Sequence, residues 1–248
     1  MDKPALLSHL KAQLALEYNC LPQDFDRDAP VITTPKANPG RRPYSPEPRF
    51  FSMATLGGNA VISADPCLHP WLKQWSAGRE GIWLFEENNL FELEETLREH
   101  GQALWQSHHM YLPDPQPSPP PIDFPTRWYE QEDIPSIPDK DTFSNALGGH
   151  AARPDVLAVA ALEGSQIIGL AACSADTPAL WQIGIDVLPG HRKSGIGRRL
   201  VQLLKDEILR RGKIPFYGTA TANLPSQRIA ASCGFFPAWV EIESIPKN

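Results

Sequence analysis

Apolar and polar positions recur with helical period over the first eighteen residues. Leu6, Leu7, Leu10 and Leu14 form one stripe of MDKPALLSHLKAQLALEY, which predicts an amphipathic helix. Charges and a histidine interrupt its apolar stretch and no cleavage-site pattern follows, so it does not read as a signal peptide. Residues 50–55 and 59–64 read as two strands of a hairpin around Leu56-Gly57-Gly58. Residues 70–75 read as a short helix and 81–85 as a strand. Residues 90–105 read as a helix, with Leu90, Leu93, Leu97 and Leu104 on its apolar side. The stretch 23–48, rich in proline and charge, reads as irregular.

The second half is denser in regular pattern. Residues 128–130 suggest a first strand and 133–147 one or two short helices. Two continuous apolar runs, 156–162 and 167–173, flank the turn Glu163-Gly164-Ser165-Gln166, the pattern of a hairpin buried on both faces. A strand follows at 180–187. A long helix then carries Leu200, Val201, Leu204, Ile208 and Leu209 on its buried side. Arg198, Arg199, Lys205, Arg210 and Arg211 fall on the solvent or ligand side, and Gly212 is the stop. A strand at 215–222, a helix opened by Pro225 and stopped at Gly234, and a strand at 239–244 complete the order. This succession predicts an α/β (α+β) fold, helices packed on a mixed sheet.

Seven prolines fall between Pro113 and Pro125, in PDPQPSPPPIDFP. Such a run lacks backbone donors and favours an extended chain. It divides the sequence into an N-terminal part, 1–112, a linker, 113–125, and a C-terminal part, 126–248; a proline-rich loop across one domain is the alternative.

Net charge is −6 over 248 residues, so the chain as a whole repels nucleic acid and anionic membranes, and an anion site has to be local. No apolar run approaches the ~20 residues of a membrane helix. Cys20, Cys67, Cys173 and Cys233 are scattered without a CxxC pair, which argues against zinc and a disulfide framework and for reduced thiols in the cytoplasm. Asp24, Asp26 and Asp28, and the pair His108-His109, are better read as solvated surface than as metal ligands, so no metal is expected.

The local anion site is the run Arg192-Lys193-Ser194-Gly195-Ile196-Gly197, between strand and long helix. The first N–H groups of a helix lack internal acceptors and carry the positive end of its dipole. Gly195 and Gly197 remove side chains, so phosphate oxygens can approach the amides of Lys193, Gly195, Ile196, Gly197 and Arg198, with Arg192 and Lys193 adding charge. The pattern is neither a P-loop nor a dinucleotide fingerprint. On the loop alone, a phosphate seat and a ligand-free tight turn remain equally open.

Over 126–244 the chain resembles the GNAT superfamily of acetyl-CoA-dependent N-acetyltransferases. IDVLPGHRKSGIGRRLV is similar to that family's pyrophosphate motif, and TANLPSQRIAASCGFFPAWVEI to its second CoA-facing segment. The resemblance implies a mostly antiparallel mixed sheet flanked by helices, with the smaller N-terminal domain a degenerate copy of the fold. It implies acetyl-CoA as acyl donor and a primary amine as acceptor, that of a small molecule being the leading reading and a peptide or protein N-terminus remaining open. Ile185 and Val187 would bind the pantetheine arm and the acetyl carbonyl through their main chains, with a backbone N–H stabilising the oxyanion. Asn223 and Ser226 would line the pantetheine, a role compatible with helix capping. Many members carry a Glu early on the strand before the loop; Leu180-Trp181-Gln182 has none. Many carry a Tyr four residues before the Gly-Phe pair; Ala230 stands there, and Tyr217 and Tyr129 substitute by type only. Asp186 is the one acid on the strand and is the candidate base, with Asp176 in the preceding loop. A non-catalytic acyl-CoA sensor, and a protein binding another phosphorylated ligand or none, are the other readings.

Overall fold

In a computed structural model, which describes residues 1–105, 107–114 and 124–247, the N-terminal stripe forms α1 (Lys3–Glu17). The Asp2 carboxylate accepts the Ala5 amide at 2.9 Å, and Leu6, Leu10 and Leu14 are buried. In chain order the strands and helices that follow are β1 (Val31–Thr33), β2 (Phe51–Thr55), β3 (Ala60–Ala64), α2 (His69–Trp75), α3 (Glu87–Glu99), β4 (Gln102–Leu104), β5 (His108–Pro113) and β6 (Thr126–Glu130). Then come β7 (Asp155–Glu163), β8 (Gln166–Ala175), β9 (Leu180–Val187), α4 (Ile196–Arg210), β10 (Ile214–Ala220), α5 (Leu224–Ser232) and β11 (Phe235–Pro246). No helix among the described residues is long and apolar enough to cross a membrane.

The chain forms two units, one of Met1–Met110 with the chain from Ala238 onward, the other of Tyr111–Pro237. The segment after Ala238, which the sequence groups with the C-terminal part, therefore joins the first unit. The reason is register: β11 pairs antiparallel with β2 from Val240↔Thr55 to Glu243↔Ser52, and with β4 from Ser244↔Leu104. Of the expected linker, residues 115–123 lie outside the described residues.

In the first unit β2 and β3 make the expected hairpin, with Gly57 at φ +93° in its turn. β1, unforeseen in the irregular stretch, runs parallel to β3. The core collects Phe51, Met53, Ile62, Leu68, Leu72, Leu84, Leu93 and Leu97. The run 81–85 is a 3-10 turn rather than a strand. Its burial recurs at every third residue, Gly81 and Leu84 being buried and Trp83 52% exposed, the period of a 3-10 turn and not of a strand. A Cβ on Gly81 would lie 2.2 Å from the Ala60 backbone nitrogen, so the run packs tightly on the start of β3. α3 ends at Glu99, and the remainder of the expected helix becomes β4. Arg42, from the loop before β2, is buried between the carboxylates of Glu17 on α1 and Glu241 on β11, at 2.6 and 2.8 Å.

In the second unit β6, β7, β8 and β9 form an antiparallel meander, and β10 lies parallel to β9. Successive residues of β7 serve opposite layers. Leu157 and Val159 pack with Leu200, Leu204 and Ile208 of α4, while Ala158 and Ala160 pack with Phe143 and Ala146 of the 3-10-rich segment before β7. This two-sided burial explains the uninterrupted apolar runs. Two positions on α4 depart from the expected helical faces. Leu209 is 40% exposed, and Lys205 is buried. Lys205 follows Val201 by one helical repeat, and its Nζ donates to the Cys233 carbonyl at the end of α5, at 2.6 Å. Burial pushes the Lys205 pKa down.

Candidate functional site

The site begins where two parallel strands part. β9 and β10 pair from Ile214↔Leu180 to Tyr217↔Ile183. Beyond that rung β9 continues to Val187 and β10 to Ala220 without further pairing to each other among the described residues. Ile185 and Val187, expected to present main-chain groups, both lie on the half of β9 that β10 has left, which stays paired on its other edge with Ala171 and Gly169 of β8.

β9 then enters a 3-10 turn, Pro189–His191. Lys193 and Gly195 both take left-handed backbone, at φ +66° and +87°. Gly195 is the N-cap of α4 and no side chain caps it, so the N–H groups of Ile196, Gly197 and Arg198 open toward the loop without an acceptor inside the helix. Gly197 serves packing as well. A Cβ there would lie 3.2 Å from Ile229 of α5 and 3.4 Å from Val187. Arg192 folds back, its Nε donating to the Val187 carbonyl at 3.0 Å, and Ser194 Oγ donates to the His191 carbonyl at 2.6 Å. The structure thus brings the loop residues to one helix end, and occupies one of the expected main-chain acceptors, that of Val187.

Asn223 caps α5, its side-chain oxygen accepting the Ser226 amide at 3.2 Å. Ser226 Oγ lies 2.6 Å from the hydroxyl of Tyr217, which is buried. Cys233 is buried beside them, its Sγ donating to the Arg198 carbonyl, and burial raises its pKa to about 11, which makes it a poor nucleophile at neutral pH.

The two candidate acids differ sharply in environment. The Asp186 carboxylate accepts the Asn145 amide at 2.8 Å, the Asn145 side-chain amide at 2.7 Å and the Ala146 amide at 3.0 Å. A Cβ on neighbouring Gly184 would lie 2.1 Å from the Asn145 carbonyl, so the 143–147 segment is pressed against β9 at this point. Asp155 holds the same segment one step on, through the amides of Gly148 and Gly149 at 3.2 and 3.0 Å. Asp176 is fully buried by side chain. Its Oδ1 accepts Ser174 Oγ at 2.6 Å and lies 3.6 Å from Arg153, while its Oδ2 has no hydrogen-bond partner among the described residues. Sequence reasoning passed over Gly184, although a glycine inside an apolar strand is a recognisable sign of close backbone approach. The Tyr217–Ser226 contact left no such sign. Among the described residues no group of His, Cys, Asp and Glu is placed to hold a metal ion.

Comparison with known proteins matches residues 102–235 to a family model described as the acetyltransferase (GNAT) family. No curated protein sequence matches. Among solved structures, a GCN5-related N-acetyltransferase-like protein from Streptococcus suis 89/1591 superposes with a TM-score of 0.51 at 15% identity, over 96% of this chain and 100% of that one. This likeness extends over the N-terminal half, as its expected kinship to the fold requires. A GNAT-family acetyltransferase of Novosphingobium aromaticivorans DSM 12444 gives 0.47 at 16% identity, over 60% of this chain and 68% of that one. A GCN5-related N-acetyltransferase from Kribbella flavida gives 0.47 at 15% identity, over 75% and 80%.

Proposed function

We propose, from the premise that the chain belongs to the acetyltransferase (GNAT) family, that it transfers the acetyl group of acetyl-CoA to a primary amine of a small molecule by direct attack on the thioester. The observation that carries this reading is the parting of β9 and β10 after Tyr217↔Ile183, followed directly by the left-handed loop at the uncapped start of α4. The residues fit the acyl donor. The amides of Lys193, Gly195, Ile196, Gly197 and Arg198 and the charge of Lys193 and Arg192 suit a pyrophosphate. The open edge of β9 at Ile185 and Val187 suits an amide-bearing arm, with Asn223 and Ser226 at the start of α5 lining it. A backbone N–H at Ile185 would stabilise the oxyanion that forms as the amine attacks.

An ammonium group must lose a proton before it attacks. Asp186 spends its oxygens on the amides of 145 and 146, and we read it as the anchor of that segment. Asp176 is buried beside Ser174 and Arg153 and precedes β9, at the other end of that strand from Ile185 and Val187, so it could take the proton only through intervening water. One comparison separates the roles. Asp176→Asn lowers kcat/KM about 100-fold with little change in acetyl-CoA affinity. Asp186→Asn turns an amide donor toward the donors of the segment and costs about 1–3 kcal/mol of stability, while kcat/KM per folded molecule holds. The reverse pattern restores Asp186 as the base.

The second reading, an acyl-CoA-binding sensor, is favoured by Ala230 at the position where many members carry a tyrosine. Thiol release from acetyl-CoA, followed against a panel of small-molecule amines, decides between them. The transferase reading requires amine-dependent release that yields acetylated amine. Binding of acetyl-CoA with no release above the uncatalysed rate for any amine establishes the sensor.

A further inference from the structure

The leaving sulfur has no assigned partner, and the structure offers one from an unexpected element. Tyr217 sits on the last paired rung of β10, opposite Ile183, at the point where the strands part. Its ring is fixed against Phe235, with centroids 6.0 Å apart. Its hydroxyl meets Ser226 Oγ, in the first turn of α5, at 2.6 Å. That contact uses one of the two hydroxyl protons, so the pair retains one proton to donate outward. The half-buried Ser226 is the more open of the two, and it is also a residue expected to line the pantetheine arm.

We propose that the Tyr217–Ser226 pair is a neutral hydrogen-bond donor to the departing sulfur, so that CoA leaves as a thiolate held by the pair and not as a thiol protonated by it. This rests on the reading that the parted strands seat acetyl-CoA. In the step, the bond between acceptor nitrogen and acetyl carbon forms and the carbon–sulfur bond breaks. The electron pair stays on sulfur, and both hydroxyls keep their protons. The sulfur takes its proton from solvent, and the acceptor's proton leaves by the base.

The acidity of the groups decides between donation and transfer. Burial pushes the Tyr217 phenol up to about 12, Ser226 pulling the other way through its hydrogen bond. Cys233 at the C-cap of α5, Asp186 on β9 and Tyr111 on β5 push it further up electrostatically. An ordinary thiol lies at about 8.5. Proton transfer from this phenol to a thiolate is therefore strongly uphill, whereas a hydrogen bond needs no transfer and favours the charged sulfur.

The test measures the thiol of bound CoA. Its ionisation is followed across pH by ultraviolet absorbance, as the difference between the CoA and desulfo-CoA complexes, in wild type, Tyr217→Phe and Ser226→Ala. The pair should hold the bound thiol below its free value. Each substitution should raise it by about one unit and lower kcat about tenfold. Wild-type kcat should show no falling limb below about pH 10, because the phenol stays protonated. A bound thiol unaffected by either substitution overturns the proposal, as does an alkaline limb that Tyr217→Phe abolishes, the mark of a titrating acid. Ser226→Ala, at a half-buried position, carries the test if Tyr217→Phe does not fold. A folded wild type that binds neither acetyl-CoA nor CoA overturns the acyl-CoA reading itself, a result distinct from binding without a thiol shift.

Discussion

Acetyl-CoA at about 100 times its dissociation constant raises the melting temperature of the wild-type chain by about 5–10 °C, and leaves that of the Gly195→Glu/Gly197→Glu variant unmoved. The wild-type shift follows from linkage, since a ligand at that excess adds about 2.7 kcal/mol to the folded state. The loss in the variant has three sources. Glutamate at Gly195 must hold φ near +87°, a left-handed conformation that costs a side chain about 1–2 kcal/mol. Glutamate at Gly197 brings a Cβ within 3.2 Å of Ile229 and 3.4 Å of Val187, and so crowds α5 and the open end of β9. Most important, two carboxylates then stand before the N–H groups meant for a pyrophosphate, and repel it. The strain lowers the variant's own melting temperature without unfolding it, so the reading is the ligand-induced shift and not the absolute value. ATP is the control. A shift with ATP equal to that with acetyl-CoA makes the loop a general polyphosphate seat and removes the acyl-CoA assignment. Retention of the full acetyl-CoA shift by the variant places the ligand elsewhere.

The loop was legible from sequence because everything it needs is local. A strand, two glycines two residues apart, flanking cations and a helix occur in one run, and their backbone geometry depends on little else. The buried runs of β7 and β8 were legible for the same reason, since two-sided burial writes itself as unbroken hydrophobicity. What escaped is set by partners distant in sequence. Lys205 reads as a surface cation by type, yet its place on α4 falls over the end of α5, where a carbonyl receives its ammonium. Asp186 reads as the one acid on a functional strand, and only the fold brings Asn145 and Ala146 to its oxygens. The stretch 81–85 has the composition of a strand, and close approach to Ala60 decides otherwise. The pairing of the final strand with β2 and β4, which draws 240–246 to the first unit, has no signature in the run itself.

Arg42→Met costs the first unit about 3–5 kcal/mol. The Arg42 side chain is 3% exposed, and it is met by Glu17 at 12% and Glu241 at 15%. Glu17 takes it in a two-pronged contact, Nε to Oε1 at 2.8 Å and Nη2 to Oε2 at 2.6 Å. The guanidinium also lies over the rings of Tyr44 and Trp239, at 4.8 and 5.6 Å. Methionine replaces the volume and keeps the apolar contacts, so the loss isolates the charge. Without the cation two carboxylates face one another in a poorly solvated site. Denaturant unfolding at neutral pH checks this. The variant Glu17→Gln/Arg42→Met/Glu241→Gln should recover most of the loss, because a site without any charge avoids the desolvation that the intact triad bears. If Arg42→Met alone is neutral at pH 7, the triad contributes no net stability. What then ties α1 and the loop before β2 to β11 is the apolar packing around Leu6, Leu10 and Leu14 and not the ions.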